Sequence, residues 1–179
     1  LLVAGSTWPE DEQLLVEVAA QYREKLKLVV APHEIGEKHL RNLEKQLENL
    51  ATLRFSQAKK HGLNGPDVLI IDNIGMLSSI YAYADFAYVG GGFKTGLHNI
   101  LEPATFGIPV IFGPFYEKFT EAVNLVSKGG AFSISSGEAL QEHVASFLHE
   151  SALRKRTGAI CSHYVQSRTG ATEIIIKAL

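Results

Sequence analysis

Seven short, mostly apolar runs recur along the chain, and each is close to continuous rather than alternating with polar residues. They are Leu1–Ala4, Leu26–Ala31, Thr52–Phe55, Val68–Ile71, Phe86–Val89, Val110–Phe112 and, more weakly, Ala131–Ile134. A strand with one wet face alternates; a strand covered on both faces does not, because neither set of side chains meets water. Amphipathic segments separate the runs. Pro9 followed by Glu10, Asp11 and Glu12 predicts a helix start, with proline in the first turn and acidic residues at the positive end of the dipole. Further helices are predicted over Glu37–Leu50, Ile74–Ala84, His98–Phe106, Phe119–Ser127, Glu138–His149 and the stretch after Ala152. Strands alternating with helices at this rhythm imply an α/β fold, a doubly wound, Rossmann-like parallel sheet. No repeat, low-complexity tract or linker divides the 179 residues, so one domain over 1–179 is expected.

In such a sheet ligands bind beyond the carboxyl ends of the strands, which makes the loop after each strand the place to look for chemistry. Gly5-Ser6-Thr7 follows a run predicted to lie near the sheet centre, and its backbone N–H groups and hydroxyls suit an anion. Helix capping by Ser6 or Thr7 explains the same residues equally well. His33, in Ala31-Pro32-His33-Glu34, can donate to a phosphate, although a lone loop histidine is more often structural or solvated. Asp72 and Asn73 read first as caps for the following helix. The backbone of Ile74, Gly75 and Met76 then stands where the edge of a base could be recognised.

The richest loop is Gly90-Gly91-Gly92-Phe93-Lys94-Thr95-Gly96-Leu97-His98-Asn99, leading to Glu102 and Pro103. Consecutive glycines let a ligand approach the backbone closely. The pattern is neither GxxxxGK[ST] nor GxGxxG. Lys94 and Thr95 are suitable donors to phosphate or carboxylate. Asn99 and Glu102 lie three apart and share one helix face, where the carboxylate can accept both hydroxyls of a ribose. A glycine turn with an Asn99 cap and a helix-start glutamate is the plainer alternative.

Composition narrows the partners. The formal charge of −2 gives no electrostatic footprint for nucleic acid. Arg154, Lys155 and Arg156 form a small basic cluster that reads as a solvated helix face. Cys161 is the sole cysteine, which rules out an intrachain disulfide and fits a buried small hydrophobe in a reducing compartment. No run approaches the ~18 apolar residues of a membrane span, and no signal peptide is evident. The chain opens directly on a strand, without a methionine, as if cut from something longer.

Taken together, Gly5-Ser6-Thr7, Pro32-His33, Ile74-Gly75-Met76 with Tyr81-Ala82-Tyr83-Ala84-Asp85, and Val89-Gly90-Gly91 through Leu97-His98-Asn99-Ile100-Leu101-Glu102-Pro103-Ala104 resemble the C-terminal half of bacterial 3-deoxy-D-manno-octulosonic acid (Kdo) transferases. Gly107-Ile108-Pro109-Val110-Ile111-Phe112-Gly113-Pro114 continues the likeness, which runs from residue 1 to about 150. The resemblance implies the C-terminal half of a glycosyltransferase B fold, with CMP-Kdo as donor and neither metal nor cofactor. It implies Kdo transfer to the lipid A precursor, with inversion, at the cytoplasmic side of the bacterial inner membrane. Acceptor and membrane would be met through an N-terminal domain outside these residues. That domain would also supply the catalytic carboxylate, so no catalytic residue is expected here and this domain alone is expected to be inactive. By position, Ser6, Thr7 and Lys94 would face phosphate or the Kdo carboxylate, His33 the phosphate, the Ile74–Met76 backbone cytosine, and Asn99 with Glu102 the ribose. Gly5, Gly91, Gly92, Thr95, Gly96 and His98 complete the expected site.

Two departures stand out. The family's Pro-Arg-His-Pro is Ala31-Pro32-His33-Glu34 here, without the arginine, and Ile100 replaces a proline that often follows His-Asn. A UDP-sugar transferase or epimerase of the same architecture, or a non-catalytic nucleotide-binding module, would use similar turns.

Overall fold

A computed structural model of the chain describes residues 1–61, 65–94, 96–170 and 175–177. Seven parallel strands form one sheet: β1 (Leu2–Thr7), β2 (Leu28–Pro32), β3 (Thr52–Arg54), β4 (Val68–Ile70), β5 (Phe86–Val89), β6 (Val110–Phe112) and β7 (Ala131–Ser133). Their order is β3-β4-β2-β1-β5-β6-β7, with β1 at the centre as expected. Every strand predicted from its apolar run is present.

The helices are α1 (Pro9–Gln21), α2 (Glu37–Gln46), α3 (Phe55–His61), α4 (Leu77–Ile80), α5 (Leu101–Thr105), α6 (Thr120–Lys128), α7 (Gly137–His149) and α8 (Ser151–Gln166). Strand periodicity divides the core between two faces. Leu2, Ala4, Phe86, Tyr88 and Ile111 point to a layer built with α1, α2 and α7. Val89, Val110 and Phe112 point the other way, against α5, α6 and α8, while Val3 and Ala87 pack with Tyr81 on that same side. Both faces are dry, which is why the strands read as unbroken apolar runs. Among the described residues, no helix is long and apolar enough to cross a membrane.

Three expectations need correction. Asp72 does not cap the helix after β4: its carboxylate accepts from the backbone N (2.9 Å) and the hydroxyl of Ser56, at the start of α3, a helix the sequence reading did not include. Asn73 does not cap it either, since its amide donates to Met76 Sδ (3.0 Å). The predicted Ile74–Ala84 helix therefore begins only at Leu77, after Gly75 at φ +92°, and passes into a 3-10 turn at Tyr81–Tyr83. Arg154 is only partly solvated and donates to the Phe147 carbonyl near the end of α7, whereas Lys155 and Arg156 are exposed as expected. Cys161 is buried as expected; its Sγ lies 2.9 Å from the Gly130 carbonyl, and burial pushes the thiol up to about 12.

Candidate functional site

The sheet reverses its winding direction at β1. From β1 the chain moves to β2 on one side, and after β4 it crosses to β5 on the other. Such a reversal leaves a crevice between the two carboxyl ends, the usual ligand position in an open α/β sheet. Gly5 pairs with Val89 across this seam, and Gly90 N donates to the Gly5 carbonyl (2.9 Å). The Gly5–Thr7 loop and the glycine turn therefore lie side by side.

Ser6 sits at a bulge. The β1–β2 register slips between Gly5 and Thr7, and Ser6 alone among the described non-glycine residues has a left-handed backbone, at φ 53°. Non-glycine residues rarely adopt that region, and such strain concentrates where a loop is held for a purpose. Gly91 answers it across the seam: at φ +90°, a Cβ there would come within 2.2 Å of the Gly96 carbonyl oxygen. Only glycine fits.

Two buried carboxylates from the first turn of α1 hold these loops. Asp11 accepts from Tyr88 Oη (2.7 Å), Gly91 N (3.0 Å) and Trp8 N (2.9 Å), joining strand, glycine turn and helix start. Burial raises its pKa from the usual carboxylate value, against the opposing pull of those three donors. Glu12 accepts from Thr7 Oγ1 (2.9 Å) and lies 3.0 Å from His39 Nε2. Thr7 is therefore not a free phosphate donor: it is fully buried, and its hydroxyl is committed to Glu12. The sequence suggested helix-dipole acids at these positions, and nothing in their spacing marks them as buried.

His33 is exposed and lies between two rings, stacked on Trp8 (centroids 4.7 Å apart) and on His98 (4.6 Å). Trp8 Nε1 donates to His98 Nε2 (3.1 Å), so His98 carries its own proton on Nδ1 when neutral. Desolvation first, and the neighbouring His33 second, lower the His98 pKa. A cleft of about 180 Å³ opens here, lined among others by Ser6, Pro32, His33, Asn73, Ile74 and Gly75. The structure thus brings together Ser6, His33 and the Ile74–Gly75 backbone; Met76 flanks the cleft without lining it.

Glu102 is close by, through α4. Its carboxylate accepts from Ser78 Oγ (3.0 Å) and Asn99 Nδ2 (3.3 Å), while Asn99 Oδ1 accepts from Leu101 N (3.0 Å). The helix expected from His98 begins only at Leu101 with Ile100 as its cap, so Asn99 neither caps it nor shares a helix face with Glu102; the two meet as a loop amide against a helical carboxylate. Ser78 was not anticipated. Lys94 pairs with Glu10 (3.2 Å) on an exposed rim, away from the His33 cleft, and with Gly96 lines a separate cavity. Gly92 packs in the turn with Gly113, and Thr95 lies outside the described residues.

No family model matches the chain. Among solved structures, the C-terminal CMP-Kdo binding domain of WaaA from Acinetobacter baumannii matches with a TM-score of 0.81 and 24% identity, over 92% of this chain and 88% of that one. The C-terminal domain of the glycosyl transferase group 1 family protein LpcC from Francisella tularensis matches at 0.63 and 16%, over 93% and 85%. The chain thus has the architecture of the C-terminal domain of glycosyltransferase B enzymes. In sequence, the 3-deoxy-D-manno-octulosonic acid transferase of Chlamydophila psittaci is 37% identical over 134 residues, which make up 72% of this chain and 30% of the relative. That of Rickettsia prowazekii is 32% identical over 163 residues, 88% of this chain and 35% of the relative. The chain is a relative of the 3-deoxy-D-manno-octulosonic acid transferases, and it spans about a third of the length of these curated relatives.

Proposed function

We propose that this chain is the donor-binding domain of an inverting glycosyltransferase that moves Kdo from CMP-Kdo to the lipid A precursor. The observation that carries the reading is the seam between β1 and β5. There a strained Ser6 and a glycine-only turn meet beside His33, with the Asn99–Glu102 pair reached through α4. Similarity to Kdo transferases supports Kdo as the sugar, and likeness in fold to a CMP-Kdo binding domain supports cytosine as the base.

In this reading the backbone around Ser6 and the exposed edge of His33 meet the phosphate. Transfer breaks the bond between the anomeric carbon and the phosphate oxygen, so negative charge grows on CMP as it leaves. Pre-set donors at that position stabilise the leaving group without having to reorganise. The Glu102 carboxylate already accepts two hydrogen bonds and has lone pairs left for the ribose hydroxyls. The Ile74–Gly75 backbone reads the cytosine edge. The role expected of Thr7 passes to its neighbour Ser6, since the Thr7 side chain is buried. A further domain supplies the acceptor site, the catalytic carboxylate and the contact with the cytoplasmic face of the inner membrane.

Calorimetry with CMP and UMP tests the reading. CMP should bind this chain more tightly than UMP, with modest affinity, because contacts from a closing partner domain are missing. Equal affinities, or a preference for UMP, would favour a UDP-sugar enzyme of the same architecture.

A further inference from the structure

The loop that carries Ser6 is held from behind by a hydrogen-bonded chain that ends on another helix. Thr7 Oγ1 donates to Glu12 Oε1 (2.9 Å), and the same oxygen lies 3.0 Å from His39 Nε2 on α2. A carboxylate can only accept, so Nε2 carries the proton whether the ring is neutral or charged. Thr7 is fully buried and Glu12 is 2% exposed, which leaves this carboxylate dependent on donors from the protein. α2 is itself fixed from outside the site. Arg54, at the end of β3, donates to Glu37 (2.8 Å) and to both carboxylate oxygens of Glu44 (2.7 Å each), and both acids belong to α2. His39 therefore reaches Glu12 from a helix whose place is already set.

Thr7 in turn governs the two groups proposed to meet the phosphate. It directly follows Ser6, whose left-handed backbone (φ 53°) persists only where the surroundings over-determine it. Its carbonyl accepts from His33 N (2.9 Å), which fixes the start of the His33 loop. On the other side of Ser6, the Gly5 carbonyl is tied to Gly90 N (2.9 Å). A Thr7 free to turn would let the Ser6 backbone relax and would release His33 with it. Thr7, Glu12 and His39 do not line the His33 cleft, so they act on a ligand only through these two neighbours. We infer that His39 is a positioning residue for the donor phosphate, holding Ser6 and His33 in place through Glu12 and Thr7 without touching the ligand. The inference rests on the donor-binding reading above. It adds α2, a helix that does not line the cleft, to the parts that set its affinity.

Titrations with CMP and with cytidine, followed by NMR chemical shifts, provide the test, because the ratio of the two affinities isolates the phosphate. The wild-type chain should bind CMP more tightly than cytidine. His39→Leu should lower that ratio about fivefold while cytidine binding stays within about twofold. Thr7→Val cuts the same chain at its other end with little change of shape, and it should give the same signature. His39→Gln keeps an N–H for Glu12 and should retain most of the ratio. A ratio unchanged in both His39→Leu and Thr7→Val would overturn the role of His39 and leave the donor reading standing. An equal loss for CMP and cytidine would mean a general loosening of the cleft and would overturn it as well. Equal binding of CMP and cytidine by the wild type would sink the phosphate site itself, and the inference with it. His39 is partly buried on a helix and leucine is a good helix former, so the folded state should persist, as the amide spectrum of each variant shows directly.

Discussion

Asp11 joins three parts of the site through one buried carboxylate, and removing it should loosen all three. Two of its donors, the Tyr88 hydroxyl and the Gly91 amide, are buried at contacts of 2.7 and 3.0 Å. Asp11→Ala leaves both unpaired, and each buried orphan costs about 1–3 kcal/mol, so the expected loss is roughly 2–6 kcal/mol. Asp11→Asn should cost about half as much. Its carbonyl can keep the Gly91 and Trp8 amides, and the Tyr88 hydroxyl can rotate to accept from the new NH₂ group. Acid adds an independent signature. Because burial raises the Asp11 pKa, the folded chain holds this proton more tightly than the unfolded chain. The stabilisation from this group is therefore fully present in acid and fades as pH rises from the unfolded carboxylate range through the raised value. The stability gap between wild type and Asp11→Asn should be widest in acid and narrow towards neutrality. Urea unfolding followed by circular dichroism at several pH values measures both effects. A cost below about 0.5 kcal/mol for Asp11→Ala, or a gap that widens towards neutral pH, would refute the reasoning.

Three further outcomes are expected. Glu102→Gln should weaken CMP binding roughly tenfold in calorimetry, because one acceptor site and the charge are lost, whereas Glu34→Gln at an exposed position should change it less than about twofold. Trp8 is the only tryptophan, and its indole N–H donates to His98; its fluorescence should therefore titrate below the ordinary histidine range as His98 gains a proton, and His98→Phe should abolish that transition. Cys161 should resist alkylation at pH 8 in the folded chain, since its thiol is buried and pushed up to about 12, and should react only on unfolding, as mass spectrometry would report.

The strands were legible because burial on both faces removes every polar alternation, and that signal survives in Val68–Ile71 or Phe86–Val89 without any context. The seam was legible too. Gly5–Thr7 and Gly90–Gly92 each follow an apolar run, and the rule for open sheets places such loops at one end. What failed had a shared cause: side chains that find partners far along the chain. Asp72 was read as a cap for its own helix, yet it serves Ser56. Thr7 was read as a ligand donor and instead turns inward to Glu12. The acids of α1 look the same in sequence whether they face water or, as Asp11 and Glu12 do, the interior. Trp8 gave no signal, because its role depends on His33 and His98 arriving from two other loops.

The central strand acquires its two neighbours at very different moments. Leu2 pairs with Leu28 on one side and with Phe86 on the other, so as the chain leaves the ribosome one edge of β1 is covered once β2 has been made and the other waits for β5. The proposed donor site straddles that late junction. It cannot exist in a nascent chain that ends before the glycine turn, and a ligand held by both loops would act as a rivet between two half-sheets. At a hundredfold over its Kd such a ligand adds about 2.7 kcal/mol to the folded state. A rise in melting temperature on adding nucleotide would thus report the closing of that junction as well as occupancy of the site.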